Sequence, residues 1–315
     1  MPAQLEQTAS VIESTYKARE VEGTADIYFY RPLGFRLAQI FAKLRLTPTG
    51  VSLLGCLAGV IAGHLYYYRD LRVNIVGMAL HVLANTLDNA DGQLARLTNQ
   101  QSRRGSIIDS VADHFVFASI YIHLALRYFI GGGSPAIFIL ALAAGASHAL
   151  QAAAVDYYRT AYLYFAKGRL SANFDSSDDL RLTYQKLNWR QDPWNKLLLA
   201  LYLNFRRQQE IVAPCLKKLR DAAERLFPHE IPSWLRMDYR HRAQPAVKWW
   251  GLLMTNTRMS ILFVLLFVKQ PVWYFWIELT VLNLLLTYLI LRQEKMAQSV
   301  LQTIATRPDS IDPNR

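Results

Sequence analysis

Asp88, Asp91, Gly92, Ala95, Arg96, Gly105, Asp109 and Asp113 stand in the order D-x2-D-G-x2-A-R-x8-G-x3-D-x3-D within a chain of 315 residues. The flanks, roughly 75–87 and 111–126, are apolar enough to lie in a bilayer. A carboxylate there costs about 2.5–3.5 kcal/mol on insertion scales and is usually functional, so four together need cations to hold them. Asp88 and Asp91 are three apart, and Asp109 and Asp113 four apart, spacings that put each pair on one face of a helix. The linker 97–104 is short and polar, which predicts an antiparallel hairpin with all four carboxylates near its tip. Gly92 and Gly105 leave room beside them for a bulky ligand. Oxygen donors without His or Cys suit Mg²⁺ or Mn²⁺. Mg²⁺ is commonly held by one or two carboxylates plus substrate phosphates, and four carboxylates can support a pair of ions about 3.5–4 Å apart. The chemistry implied is metal-assisted phosphoryl transfer at a membrane surface. The competing reading is a set of solvated helix ends with ordinary ion pairs.

The elements that must position these residues are membrane helices. Six stretches approach the roughly 20 apolar residues that a span requires: 49–68, 73–94, 107–129, 135–165, 246–268 and 272–292. The expected fold is an all-α polytopic membrane bundle of six transmembrane helices. An interfacial amphipathic helix precedes it, and a helical cytoplasmic insertion interrupts it. The boundaries read as a polar tail over 1–26, the interfacial helix over 27–46, spans one to four with the motif over 47–166, the insertion over 167–245, spans five and six over 246–295, and a second tail over 296–315. Leu33, Leu37, Ile40, Phe41 and Leu44 recur at helical spacing, with Arg36, Gln39, Lys43 and Arg45 between them, as in a helix lying in the interface. Lys and Arg fall mostly on one side, at Arg31, Arg36, Lys43, Arg45, Arg96, Arg103, Arg104, throughout 167–245, and at Arg292 and Lys295. The other side carries only Arg69, Arg72, Arg127 and Lys269. Both termini, the aspartates and the insertion are therefore expected to be cytoplasmic, in a multi-pass protein of the bacterial inner-membrane type.

The chain is 52% hydrophobic with a formal net charge of +11. With membrane-length segments present, that excess points to anionic lipid and phosphorylated substrates. No basic-aromatic recognition motif accompanies it, so no nucleic-acid partner is expected. Two cysteines, Cys56 and Cys215, form neither a disulfide framework nor a metal cluster. The first 25 residues lack an apolar core, so no cleavable signal is expected. Within the insertion, helices are predicted from Ser176-Ser177-Asp178-Asp179, over Pro193–Pro214 and over Cys215–Phe227. Pro228 and Pro232 mark a linker, and the basic residues are read as a solvated face near anionic lipid.

The pattern from Asp88 to Asp113 resembles the signature of the CDP-alcohol phosphotransferases at every fixed position. The wider resemblance spans about 30–165 and 246–292. Leu46-Thr47-Pro48 is similar to the Leu-Thr-Pro-Asn stretch that opens the family's first span, with Thr49 in place of Asn. The resemblance implies a CDP-linked donor, an alcohol acceptor and CMP as product. It makes Asp88, Asp91 and Asp109 metal ligands. Asp113 would complete the metal site and act as catalytic base on the acceptor hydroxyl. Gly92, Ala95 and Gly105 would border the cytidine, and Arg96 would contact phosphate or pair with an aspartate. Together with the small residues of span four (Ala141, Ala144, Gly145, Ala149, Ala152), it also suggests a homodimer.

Polar residues in the later spans suggest where the acceptor goes. Arg159, Asn256 and Arg258, with Arg103 and Arg104, form a candidate anionic pocket, since arginine presents a planar fork to phosphate. For Arg258 the alternative is an ion pair with Asp156 or Glu278; for Arg103 and Arg104 it is a plain positive-inside loop. His114 and His148 read as packed or hydrogen-bonded side chains. The leading function is transfer of a phosphatidyl group from CDP-diacylglycerol to a small polar alcohol or its phosphate, in lipid synthesis. One alternative moves a CDP-linked head group onto diacylglycerol or a ceramide-like lipid. Another is a non-catalytic ion- and lipid-binding membrane protein.

Overall fold

The computed structural model describes residues 19–172 and 174–306, without the side chains of Arg19, Arg103 and Leu170. The N-terminal tail up to residue 18 and the C-terminal tail beyond 306 lie outside the described residues. Among those described there is no strand. The helices are α1 (Arg31–Lys43), α2 (Pro48–Leu65), α3 (Leu71–Leu97), α4 (Arg103–Ile130), α5 (Ile137–Tyr162), α6 (Ser177–Lys186), α7 (Pro193–Val212), α8 (Pro214–Leu226), α9 (Ser233–Trp250), α10 (Thr255–Phe267), α11 (Trp273–Ile277) and α12 (Asn283–Thr306). Five stretches are long and apolar enough to cross a membrane: Pro48–Leu65, Arg104–Ile130, Ile137–Lys167, Ser233–Phe267 and Trp273–Thr306. The protein is a multi-pass membrane protein. The sixth expected span, 73–94, is a continuous helix of 27 residues, α3. It is missing from the five because Asp88, Asn89, Asp91, Gln93 and Arg96 dilute its C-terminal half.

The chain divides into two compact units, one ending at His148 and resuming over Thr255–Val281, the other formed by Ala149–Met254 and the chain from Leu282. In the first unit, the starts of α2, α3 and α4 have a visible cause. Thr47 accepts a bond from the Gly50 amide at 3.1 Å ahead of Pro48, Asp70 accepts from the Arg72 amide at 2.8 Å, and Ser102 accepts from the Gly105 amide at 3.0 Å. These are ordinary N-cap bonds to otherwise unpaired helix amides. The α3–α4 connection is the short hairpin expected, and Asn99 takes the left-handed backbone at its turn (φ 55°).

Close approach of α2 to its neighbours rests on Gly55, Gly59 and Gly63, one per turn. A Cβ on Gly63 would fall 2.6 Å from Ser119 Oγ and 2.9 Å from the Ile120 amide nitrogen, and one on Gly59 would fall 2.6 Å from Val116 Cγ2. Ser119 donates across the same contact to the Val60 carbonyl at 2.9 Å. Small residues at such spacing let membrane helices pack backbone to backbone. Further along, Tyr66, Met78, Ile120, Tyr121, Leu124, Leu262 and Phe275 form the apolar core.

Helix α1 has a buried face beside the apolar stripe. Gly34, Phe35 and Ala38 are buried, and Leu37 and Phe41 pack on a core made by Ala38, Val51, Leu87, Ala90 and Leu94. Gln93 donates to the Arg31 carbonyl at 3.1 Å. Leu33, Ile40 and Leu44 of the apolar set stay exposed, while a Cβ on Gly34 would sit 3.2 Å from the Ala90 amide nitrogen, so the other face of α1 lies directly on α3.

The second unit holds the insertion, with helices at Ser177, Pro193 and Pro214 close to their expected starts. The region after Pro232 is helix α9 and not linker, and it stops at a tight turn over Gly251–Leu253, which interrupts the stretch expected as span five. Helix α12 continues to Thr306, past the expected end of span six. Arg206 and Arg220 do not lie on a solvated face: both are buried. Arg220 donates to Glu210 at 2.9 Å and to Asp221 at 2.8 Å, and Glu210 also accepts from the Ser177 amide at 3.0 Å and its hydroxyl at 2.5 Å. Glu294 accepts from the Cys215 amide at 2.6 Å and the Leu216 amide at 3.3 Å, capping α8 where Ala213 cannot. Burial by itself raises the Glu210 carboxyl, but the Ser177 bonds and the Arg220 guanidinium outweigh it and leave it below its ordinary value.

Two outcomes are expected. Gly63→Ala should lower unfolding stability by about 1–3 kcal/mol through overpacking, while Gly251→Ala, which meets nothing within 4 Å, should not; thermal unfolding in detergent reads the difference. Glu210→Gln should cost about 3 kcal/mol at neutral pH by breaking a buried pair. A carboxyl whose folded value is depressed stabilises above its unfolded value and ceases to as pH falls through the folded one. The gap between variant and parent should therefore close as pH drops below 4.5, which denaturant titrations across that range would follow.

Candidate active site

The site lies within the first unit, where the last turns of α3 face the first turns of α4. Asp88, Asp91 and Asp109 each offer a carboxylate oxygen, and these oxygens lie within 4.8 Å of one another. Asp91 is buried, while Asp88, Asp109 and Asp113 are half-buried. All four line one cleft with Ser52, Cys56, His81, Asn85, Phe117 and Thr255. The trio is therefore a crowded, oxygen-only donor set that can hold a hard divalent cation. Asp113, one turn beyond Asp109, stands in the same cleft outside that trio.

One neighbour bonds a site carboxylate directly, and two others bond beside it. The Ser52 hydroxyl on α2 donates to Asp91. Asn85 donates to Asn256 at 2.7 Å, and Asn256 donates in turn to Asp26 at 2.8 Å, so a chain of amides links α3 through α10 to the turn preceding α1. Cys56 approaches the Ala112 carbonyl at 3.6 Å. Neither Ser52 nor Asn85 was a sequence candidate. The available signal was a hydroxyl and an amide on the inward faces of otherwise apolar helices.

The remaining candidates divide. Gly92, Ala95, Arg96 and Gly105 do not line the aspartate cleft. The Arg96 guanidinium stands over Gly92, where a Cβ would come 3.4 Å from Nη2, and Gly105 sits in the first turn of α4 with its amide bonded to Ser102. Asn256 is beside the cleft, but its amide already bonds Asn85 and Asp26. Arg258 is 3% exposed and bonds Glu278 at 3.0 Å, the ion-pair alternative; Asp156, the other partner considered, lies 3.8 Å from Arg206 in the second unit. Arg104 is exposed. Arg159 is on the part of α5 that belongs to the second unit, and the Arg103 side chain is outside the described residues. His148 is buried against Phe117 and accepts or donates a 3.0 Å bond with Tyr121, as a packed residue would. His114, read as packed or hydrogen-bonded, is exposed and bonds the Ser110 carbonyl at 2.6 Å, the second of those alternatives.

Residues 45–168 match the family model for CDP-alcohol phosphatidyltransferase. Three curated relatives are similar over part of the chain. An archaetidylinositol phosphate synthase of Pyrococcus horikoshii is 32% identical over 91 residues, covering 29% of this chain and 47% of its own. A phosphatidylinositol phosphate synthase of Streptomyces avermitilis is 35% identical over 113 residues, covering 34% and 45%. A bifunctional IPC transferase and DIPP synthase of Rubrobacter xylanophilus is 34% identical over 140 residues, covering 44% and 29%. The chain thus spans less than half the length of each of these relatives.

Ser52→Ala should weaken Mn²⁺ binding about 10- to 100-fold, as loss of an outer-shell partner does, with the helical content retained. Manganese titration by electron paramagnetic resonance reads it, and an unchanged affinity would remove Ser52 from the site.

Proposed function

We propose that this protein transfers a substituted phosphoryl group from a CDP-linked donor to an alcohol and releases CMP. The observation that carries the reading is the convergence of Asp88, Asp91, Asp109 and Asp113 on one cleft inside the segment that matches the family model. Asp88, Asp91 and Asp109 would hold Mg²⁺ or Mn²⁺, in one or two ions, which when bound supplies positive charge to a diphosphate. Asp113 accepts the proton of the acceptor hydroxyl, being free of the trio yet in the same cleft. The acceptor oxygen then forms a bond to the donor's β-phosphorus as the bond between that phosphorus and the bridging oxygen breaks, and the electron pair leaves with CMP. Ser52 keeps Asp91 oriented during this, and Asn85 and Asn256 fix the α3 wall. Gly92, Ala95 and Gly105 are assigned to the cytidine and Arg96 to its phosphates, on the family pattern.

For the donor the reading is CDP-diacylglycerol, and for the acceptor a phosphorylated polyol such as inositol phosphate. Support comes from the basic excess on the aspartate side and from relatives named as inositol phosphate lipid synthases. The same Lys and Arg distribution supports placing the aspartates at the cytoplasmic face, with α3 as the sixth span and α1 along the interface. With Arg258 engaged by Glu278, Arg104 remains the described first-unit arginine assigned to acceptor phosphate.

Purified protein given radiolabelled CDP-diacylglycerol and inositol phosphate should release CMP only with Mg²⁺ or Mn²⁺. Asp113→Asn should lose turnover by about 10²–10⁴-fold, the usual contribution of a general base, with metal binding preserved. Turnover retained in that variant would remove Asp113 as base. CMP release that survives both chelation and Asp91→Asn would sink the reaction itself. CMP release from CDP-choline or CDP-ethanolamine with diacylglycerol, and none from CDP-diacylglycerol, would reverse donor and acceptor.

A further inference from the structure

The cations on the side away from the aspartates are few, and they are not scattered. Of Arg69, Arg72, Arg127 and Lys269, three line one pocket of the first unit, with a volume of about 690 Å³. Its walls come from three inter-helix connections: α2–α3 with Arg69, α4–α5 with Gly131 to Gly133, and α10–α11 with Lys269 to Val272. No carboxylate is among its lining residues. Positive charge is normally depleted on this side of a membrane protein, and like charges brought together without an anion repel one another, so the arrangement needs an explanation.

Each of the three cations is placed for a ligand. Arg127 is 8% exposed; its Nη1 donates to the Tyr66 carbonyl at 3.1 Å and to Asn74 at 2.8 Å, while Nε and Nη2 take part in no hydrogen bond among the described residues. Arg69 and Lys269 are exposed, and neither makes a side-chain hydrogen bond or ion pair there. The glycines make this possible. A Cβ on Gly131 would fall 1.5 Å from Arg69 Nη2, so the guanidinium lies in space that any other residue would fill. A Cβ on Gly133 would fall 2.2 Å from the Tyr128 ring. Lys269 holds its place through a left-handed backbone (φ 60°). Trp273 and Trp276, 58% and 48% exposed, line the same pocket and are of the type found at the head-group level of a bilayer.

Cations flanked by interfacial tryptophans match the two halves of a phospholipid, a phosphodiester and the start of its acyl chains. The volume is within the range of pockets that enclose a small ligand. From Asp70 to Asp91 is about 30 Å along α3 at 1.5 Å per residue, close to the hydrocarbon thickness of a bilayer. We propose that this pocket binds the phosphate of an anionic phospholipid in the leaflet opposite the aspartate site, bridging three inter-helix connections. The site is separate from the reaction proposed above and does not rest on it.

The full-length protein would be reconstituted in nanodiscs containing phosphatidylglycerol in a phosphatidylcholine background. Bound lipid would be quantified by native mass spectrometry, with thermal unfolding and CMP release measured in parallel. The parent is expected to retain phosphatidylglycerol in preference to phosphatidylcholine. Arg69→Gln with Lys269→Asn should weaken that retention by about 10- to 30-fold, given the usual attraction per basic residue at a lipid surface. Basal CMP release should be unchanged, and Asn suits the left-handed backbone at 269. Each single variant should lose part of the preference, which keeps the test intact if the double variant does not fold. A parent without preference, or single variants that retain it in full, would overturn the site. Equal stabilisation by inorganic phosphate alone would overturn the assignment to lipid.

Discussion

Crowding of negative charge is the constraint from which the rest of the molecule follows. Three carboxylate oxygens within 4.8 Å of one another repel by about 4 kcal/mol per pair at an effective dielectric near 20. The helix dipoles do little to offset this, because their influence fades within one turn of a helix end. Asp88 and Asp91 are two to three turns and nearly two turns before the end of α3, and Asp109 is in the second turn of α4. Ser52 supplies one hydrogen bond to Asp91, which relieves one oxygen and no net charge. A divalent cation, which the trio could hold, would offset that repulsion, and a diphosphate would bring further oxygens to complete its shell.

The scaffold around that trio is built to keep two helix ends close. Gly55, Gly59 and Gly63 let α2 lie against α3 and α4 at once, so Ser52 and Cys56, on the same helix, arrive at the cleft from its third side. The Asn85–Asn256–Asp26 chain ties the fourth side. Asn256 accepts from Asn85 and donates to the Asp26 carboxylate, so it is a neutral positioning group whose geometry is fixed from both ends.

Much of this was legible in sequence because the signals are local. The spacing of Asp88, Asp91, Asp109 and Asp113, the hairpin at 97–104, the Pro193 and Pro214 helix starts and the apolar runs all depend on residues close in the chain. What was hidden depends on partners far apart. Arg220 reads as a surface cation until Glu210 and Ser177 are beside it. The packing of Gly34, Phe35 and Ala38, beside the exposed Leu33, Ile40 and Leu44, shows only once α3 is in place. The break at Gly251 is invisible to a hydropathy average, which sees only the apolar residues on both sides. Ser52 and Asn85 carry no pattern of their own; they matter through the aspartate and the amide they touch.

Arg258 shows how the same limit bears on specificity. A guanidinium in an apolar span invites a substrate phosphate as its partner, since leaving it unpaired is expensive. In the structure the π-helical turn at Glu278–Leu282 places Glu278, itself 0% exposed, 3.0 Å from Arg258. Removing that acid to free the arginine for a ligand would break a buried ion pair, at about 3–5 kcal/mol, more than a single phosphate contact at the membrane surface returns. Arg258 is thus committed to the fold, and Arg127, with Nε and Nη2 outside its bonds to Tyr66 and Asn74, is a buried arginine with donors to offer. The two look alike in sequence, each a lone cation in an apolar helix. They differ by whether a carboxylate sits within reach on a neighbouring helix.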